Sequence, residues 1–153
     1  MELSHRPIVL FHASLERLKE SRGAFENRDH VLSMYLSGLA VECILQAIAI
    51  YHGSPHDARH DLPNWLAKCP RLLRDQIKGE GAAAWSQILA LWDNGLRYLS
   101  KQGLLGYLRE KKAGRTISGG PDSIIRENAR RLLEAADIIH KKGLSQWVSS
   151  TRR

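Results

Sequence analysis

One carboxylate stands out in the sequence because of where it lies. The segment Val31–Tyr51 contains a single formally charged side chain, Glu42, close to its middle. A carboxylate inside an apolar helix is costly unless a partner pairs with it. Arg97 is the best candidate, because it too lies within an apolar helical pattern. The sequence therefore predicts a buried Glu42–Arg97 ion pair, structural first, with a direct role in ligand binding or chemistry as the alternative.

Histidines form a second group with possible chemistry. His52, His56 and His60 are spaced four residues apart, which on an unbroken helix would align them for a metal ion. Gly53 and Pro55 interrupt that helix, so the stretch is predicted to be a polar loop in which Asp61 caps the next helix. We therefore predict no metal site and no cofactor. A zinc site is the open alternative, and it would have to borrow a fourth ligand from elsewhere.

A basic run between residues 97 and 115 is the third group. It contains six Lys and Arg residues against one Glu. Cations for phosphates and aromatic rings for bases are what a nucleic-acid groove requires. The predicted anion-binding or nucleic-acid-binding residues are Tyr98, Lys101, Tyr107, Arg109, Lys111, Lys112 and Arg115. A solvated helix end followed by a loop would have much the same composition.

The element that must position these groups is a long helix over Val31–Tyr51. Asn27 or Asp29 can cap its start, and Gly53 followed by Pro55 can end it. Its apolar positions point in all directions, which predicts a helix surrounded by the rest of the domain. Its narrow polar or small stripe consists of Tyr35, Gly38, Glu42 and Gln46. A membrane span is the less favoured alternative, because Glu42 lies at its centre.

Other amphipathic patterns predict long helices over residues 7–25, 83–100 and 123–142, with short helices after Asp61 and over residues 71–78. Lys141, Lys142 and Gly143 are interpreted as a cationic helix stop, followed by a loose tail over 144–153. No stretch favours a strand. The expected fold is all-α, an up-and-down bundle of four to five main helices in a single domain over residues 1–153.

Charge and cysteine content narrow the function classes. The 153 residues carry a formal net charge of +7, with −1 in residues 1–60, +5 in 61–121 and +3 in 122–153. A basic second half favours a polyanionic partner, although a solvated surface would also account for it. Two cysteines do not predict a disulfide framework. The N-terminus lacks the features of a secretory signal, so a cytoplasmic protein is expected.

Several segments together resemble the HEPN family, whose name stands for higher eukaryotes and prokaryotes nucleotide-binding. The central segment YLSGLAVECILQAI is similar to the pattern of many bacterial members. Three later landmarks support the resemblance, namely HDL at 60–62, LRY at 96–98 and RRLLEAADIIHKKG at 130–143. The resemblance covers nearly the whole chain. It implies a helical bundle that is commonly a homodimer.

Members of that family occur as ribonuclease toxins, as partners of small nucleotidyltransferases, and in phage-defence systems. The ribonucleases carry an Arg followed, after four to six residues, by a His. No His follows Arg97 at that distance, and the one matching pair, Arg6 and His12, is no more than chance predicts. The resemblance thus favours a nucleotide-binding or RNA-binding, or regulatory, module of a toxin–antitoxin or defence system. The alternatives are a ribonuclease with Arg97 and His60 as a rearranged catalytic site, and a helical dimerisation scaffold.

Overall fold

The computed structural model describes residues 2–152, which form helices and no strand. Three long helices build the bundle and four shorter helices cover it. Their bounds are α1 Pro7–Glu26, α2 His30–Tyr51, α3 Leu62–Ala67, α4 Arg71–Lys78, α5 Ala82–Leu91, α6 Lys101–Glu110 and α7 Pro121–Thr151, with 3₁₀ helices at Leu3–His5 and Asn94–Tyr98. The predicted all-α helical bundle is confirmed.

A three-residue link makes α1 and α2 antiparallel neighbours. The Asp29 side chain caps α2 by accepting a hydrogen bond from the backbone N–H of Leu32 at 3.2 Å. A cluster of buried hydroxyls then joins the two helices near the link. The Ser21 hydroxyl lies 2.7 Å from the Ser37 hydroxyl and 2.8 Å from the Ser33 carbonyl oxygen. These serines satisfy one another's polar atoms, so small side chains can bring the two helices close without an unpaired hydroxyl.

Helix α2 is surrounded, as its apolar periodicity predicts. It is long and apolar enough to cross a membrane, but 78% of its most apolar window is buried inside the bundle. Helix α1 and helix α7 cover most of it. The packing therefore gives α2 the environment of a core helix.

The stripe predicted on α2 is the face on which the middle of the chain docks. Trp92 lies on Gly38, and its indole N–H donates to the Tyr35 carbonyl oxygen at 3.0 Å. One turn further along the helix, Glu42 meets His60. The stripe thus works as a docking track, since a missing side chain at Gly38 makes room for an indole and the polar positions supply hydrogen bonds.

The region around residues 83–100 differs from the predicted single helix. Helix α5 ends at Leu91, Trp92 is extended, and a 3₁₀ helix over Asn94–Tyr98 leads to a new helix, α6. The Asp93 carboxylate accepts from the Gly95 N–H, and the Ser100 hydroxyl accepts from the Gly103 N–H. Such local bonds compete with a continuous helix and allow Trp92 to turn onto α2.

The C-terminal prediction was also wrong. Helix α7 continues through Gly143 to Thr151 instead of ending there with a loose tail; Arg153 lies outside the described residues. A Cβ at Gly143 would lie 2.7 Å from Ile44 Cγ1, so the glycine marks the close approach of α7 to α2. Further along, Trp147 stacks on Phe11 at 4.7 Å between ring centroids, which holds the last turns of α7 against α1.

Gly38→Ala tests the docking track. An added Cβ would lie 2.0 Å from the Trp92 ring, and the fixed indole cannot move without losing its hydrogen bond and its packing. We expect a loss of about 3 kcal/mol in unfolding free energy, measured by urea denaturation. Gly23→Ala is the matched control, since Gly23 lies within α1 with no atom near the new Cβ. It should gain up to about 1 kcal/mol from helix propensity, and equal effects of both changes would contradict this account.

Candidate functional site

The buried carboxylate of Glu42 pairs with His60, not with Arg97. Glu42 is 3% exposed, and the His60 Nδ1 lies 2.9 and 3.0 Å from its two oxygens. Gln46, one turn along α2, donates its side-chain N–H to Glu42 Oε1 at 3.0 Å. The predicted Glu42–Arg97 pair is therefore wrong. The local sequence pattern could not decide which residue would meet Glu42, Arg97 on the second 3₁₀ helix or His60 in the loop before α3.

Two hydrogen-bonding side chains partly offset the free-energy cost of burying the Glu42 carboxylate. Burial raises the pKa of Glu42 above its ordinary value, while the facing imidazole and the amide of Gln46 work in the opposite direction. Because a carboxylate only accepts hydrogen bonds, we assign the proton to the His60 Nδ1 that faces it. The His60 side chain is 41% exposed. The pair anchors the loop between α2 and α3 onto the centre of the core.

The three loop histidines, His52, His56 and His60, contact three different partners. His52 hydrogen-bonds to the Ser150 hydroxyl at 2.9 Å, and His56 stacks on His5 with ring centroids 3.7 Å apart. His60 is committed to Glu42. Within residues 2–152 no three His, Cys, Asp or Glu side chains are grouped so as to hold a metal ion. The spacing of four residues therefore does not converge on a zinc site.

A large cavity lies at the other end of the stripe, where the α1–α2 link, the second 3₁₀ helix and the first turns of α6 and α7 meet. Its volume is about 1140 Å³, somewhat above the usual range for small-molecule sites. Apolar side chains of Phe25, Val31, Leu32, Leu99 and Ile125 form part of its wall, together with Tyr35. Its charged lining consists of Arg28, Arg97, Lys101, Arg126, Glu26, Asp29 and Asp122, with His30 among them.

The lining carries four cations against three carboxylates, and its three arginines stand outside ion pairs within the described part of the chain. Asp122 pairs with Lys101 at 2.5 Å, and Asp29 is engaged in capping α2. Across residues 2–152, neither Arg28 nor Arg97 nor Arg126 forms an ion pair with a carboxylate. Three guanidinium groups without carboxylate partners therefore line one cavity, an arrangement suited to phosphate or carboxylate ligands.

Arg28 has a left-handed backbone conformation, which is strained for a residue other than glycine. It has a φ of +61° at the C′ position of α1, where the Arg28 N–H bonds to the Phe25 carbonyl and the Asp29 N–H to the Ala24 carbonyl. That pattern is a Schellman motif, whose left-handed residue is usually glycine. The same motif ends α2 with Gly53 at a φ of +97°. Strain at a non-glycine residue is a reason to look for function, and here the side chain lines the cavity.

His30 is a residue of this cavity that the sequence analysis missed. Its ring packs edge-on against Phe25 with centroids 5.3 Å apart. Its Nδ1 is shielded from solvent and has no hydrogen-bond partner among residues 2–152. Burial and the nearby Arg126 lower the pKa of His30, so the imidazole is neutral near pH 7.

The predicted anion-binding residues divide into two groups. Lys101 lines the cavity, and Tyr98 lies beside it, largely exposed, with the Arg97 guanidinium 4.6 Å from its ring centre. The others lie toward the far end of α6 or beyond it, about 9 Å or more from Lys101 along the helix at the usual helical rise; these are Tyr107, Arg109, Lys111, Lys112 and Arg115.

Tyr107 in that second group is structural. Its hydroxyl donates to the Leu91 carbonyl at 2.9 Å, and burial raises its pKa to about 12. Arg97 and His60 make different contacts, one in the cavity and one with Glu42, so the structure does not bring them together as a catalytic pair.

The sequence pattern did not indicate three residues of the cavity: Arg28, His30 and Arg126. Arg28 lies in the link after α1, His30 in the first turn of α2 and Arg126 in the second turn of α7. A charged residue at or near a helix end is usually explained by solvation or capping. The one available signal was an arginine, rather than glycine or asparagine, in the link between two long helices.

Comparison with known proteins adds no relative. No family model matches the chain, and no curated protein and no solved structure matches it significantly.

Replacing His60 tests its role as a partner of the buried carboxylate. His60→Ala leaves Glu42 with Gln46 alone, so we expect the unfolding free energy to fall by about 2 kcal/mol. His56→Ala is the control and should cost less than about 1 kcal/mol, because His56 only stacks on His5 near the surface. Equal losses in denaturant titrations would contradict the assignment.

Glu42→Gln gives a pH signature. Because the pKa of Glu42 is raised in the folded state, the protonated form contributes stability at low pH that is lost as pH rises through that pKa. The glutamine variant lacks this titration, so its unfolding free energy should fall less than that of the wild type as pH rises above the ordinary range of a carboxyl group. A steeper fall would contradict the raised pKa.

Proposed function

We propose that this protein binds the phosphate groups of a nucleotide or of RNA in the cavity between the α1–α2 link and the starts of α6 and α7. The observation that carries the proposal is the presence of Arg28, Arg97 and Arg126 in its wall without carboxylate partners. A guanidinium group donates paired hydrogen bonds that match phosphate oxygens. The resemblance of Tyr35–Ile48 to HEPN domains favours the same class of ligand.

The aromatic groups support nucleotides over simple anions. Tyr98 is 75% exposed, and the Arg97 guanidinium lies against its ring. An exposed ring beside a phosphate-binding cation provides a stacking surface for a base. Phe25 and Tyr35 add apolar and aromatic wall inside the cavity, which is large enough for a nucleoside as well as its phosphates.

This activity is that of a binding or regulatory module. A small nucleotidyltransferase as partner, a homodimer and a role in a toxin–antitoxin or defence system are the context that the family resemblance favours. None of these follows from the cavity itself.

A second candidate function is metal-independent RNA cleavage in the same cavity. The observation that favours it is a neutral imidazole, His30, in one wall with Arg97 and Arg126. A neutral imidazole can accept the proton of a ribose 2′-hydroxyl as that oxygen bonds to the adjacent phosphorus and the bond from phosphorus to the 5′-oxygen breaks, with water protonating the 5′-oxygen that leaves. Arginines can stabilise the negative charge on the phosphoryl oxygens. His30 takes the role that the sequence analysis gave to His60, because His60 is committed to Glu42.

Arg97→Ala and Arg109→Ala form a matched pair for the binding proposal. Both remove one exposed arginine, but only Arg97 lines the cavity. With a fluorescent single-stranded RNA, we expect Arg97→Ala to weaken binding about tenfold and to reduce the salt slope by about 0.7. Arg109→Ala should change the Kd less than about twofold. Equal effects would place binding on the general basic surface instead.

The same samples separate binding from cleavage. Cleavage that persists in EDTA and disappears in His30→Ala would establish the second candidate. Intact but retarded RNA would favour the binding module. If the protein neither binds nor cleaves RNA, the helical dimerisation scaffold is the remaining alternative.

Arg28→Gly should separate binding from stability. Glycine relieves the left-handed strain at this position, so the variant should be about 1 kcal/mol more stable while it binds RNA more weakly. Lys112→Gly is the matched control, because Lys112 has a φ of +57° at the equivalent end of α6 but does not line the cavity. It should gain similar stability with affinity unchanged. Unfolding and anisotropy titrations measure both, and unchanged RNA affinity in Arg28→Gly would remove Arg28 from the site.

A further inference from the structure

His30 is placed unlike any other histidine of the chain. His140 is buried against the Ser14 hydroxyl at 3.0 Å and has its pKa lowered to about 4 by burial. The three loop histidines have partners of their own. His30 alone lines the large cavity, with its shielded Nδ1 lacking a partner among residues 2–152.

The charges facing His30 come from every element around the cavity. They comprise four cations and three carboxylates: Arg28, Arg97, Lys101 and Arg126, with Glu26, Asp29 and Asp122. Burial lowers the pKa of His30 most, Arg126 and Lys101 lower it further, and Asp29 and Asp122 oppose them. A further positive charge on His30 is unfavourable beside these four cations as long as no anionic ligand is bound.

A bound phosphate changes this balance. Its negative charge next to the arginines would offset their repulsion of a protonated imidazole, and its oxygens can accept a hydrogen bond from the ring. We propose that His30 is a ligand-binding residue of this cavity that takes up a proton when the anion binds, so that affinity for phosphate ligands increases as pH falls. This inference rests on the proposed function and adds both a residue and a proton linkage to it.

The sign follows from the two states of the imidazole. In the free protein His30 titrates below its ordinary pKa, and in the complex it titrates higher. Between those two pH values the complex holds a proton that the free protein lacks. Affinity should therefore rise by up to about tenfold for each pH unit of decrease inside that window, and be independent of pH above it.

The probe must not titrate in the same range. A short oligouridylate with a 5′-hydroxyl carries only phosphodiesters, so its charge stays constant between about pH 5.5 and about pH 8. Its binding to the full chain is measured by calorimetry at several pH values, in buffers with different ionisation enthalpies. The buffer dependence counts the protons taken up. Circular dichroism at each pH confirms folding, since protonation of buried His140 favours unfolding in acid.

Wild-type protein should take up a proton fraction on binding, and His30→Gln should bind without uptake and with a flat pH profile. His12→Gln is the control, because His12 is exposed on α1 and does not line the cavity; it should behave as the wild type. Oligouridylate binding without proton uptake by the wild type, or with undiminished uptake by His30→Gln, would overturn this inference alone. No binding at any pH would overturn the proposed function with it.

A second measurement follows the His30 imidazole directly. Arg126→Gln removes the cation with the largest lowering effect on His30, so the NMR titration of the His30 ring should move to higher pH in the free protein. Adding oligouridylate to the wild type should move it in the same direction. A His30 titration that neither change shifts would contradict the proposal.

Discussion

Burial of one carboxylate at the centre of α2 is the constraint on which the rest of the structure depends. Glu42 lies near the middle of a long apolar helix and is buried, so it must be met by donors because an unpaired buried charge is strongly destabilising. His60 and Gln46 meet it. Since His60 belongs to the loop after α2, satisfying the carboxylate also fixes where that loop returns and where α3 begins.

The same stripe organises the second half of the chain. Gly38 lets the Trp92 indole lie on α2, and the Tyr35 carbonyl fixes the orientation of that indole. Docking Trp92 there ends α5 and starts the 3₁₀ helix that carries Arg97 to the cavity. Core packing and the candidate site are therefore linked through one helix face. They are nevertheless distinct places, about 10 Å apart along α2 between Tyr35 and Glu42 at the usual helical rise.

The candidate site is assembled from helix ends. The end of α1, the start of α2 and the starts of α6 and α7 all contribute lining residues. Helix ends carry unpaired backbone groups and accept residues that a helix interior would not, such as Arg28 in left-handed backbone. The strained backbone of Arg28 and the arginines without carboxylate partners reduce stability at this junction. A surface with no function has no need of such features, and the functional proposal therefore rests on this cavity.

The sequence by itself determined the helical class, the central buried helix with its caps, and the polar stripe, because periodicity and capping are local properties of the chain. It also indicated that Glu42 must have a partner. Only the tertiary structure decided that His60 is this partner, that Gly143 is a contact with Ile44 rather than a helix stop, and that Arg28, His30 and Arg126 meet Arg97 around one cavity. These residues are far apart in sequence, and which of them meet depends on how Trp92 and the α1–α2 link pack, which no local pattern encodes.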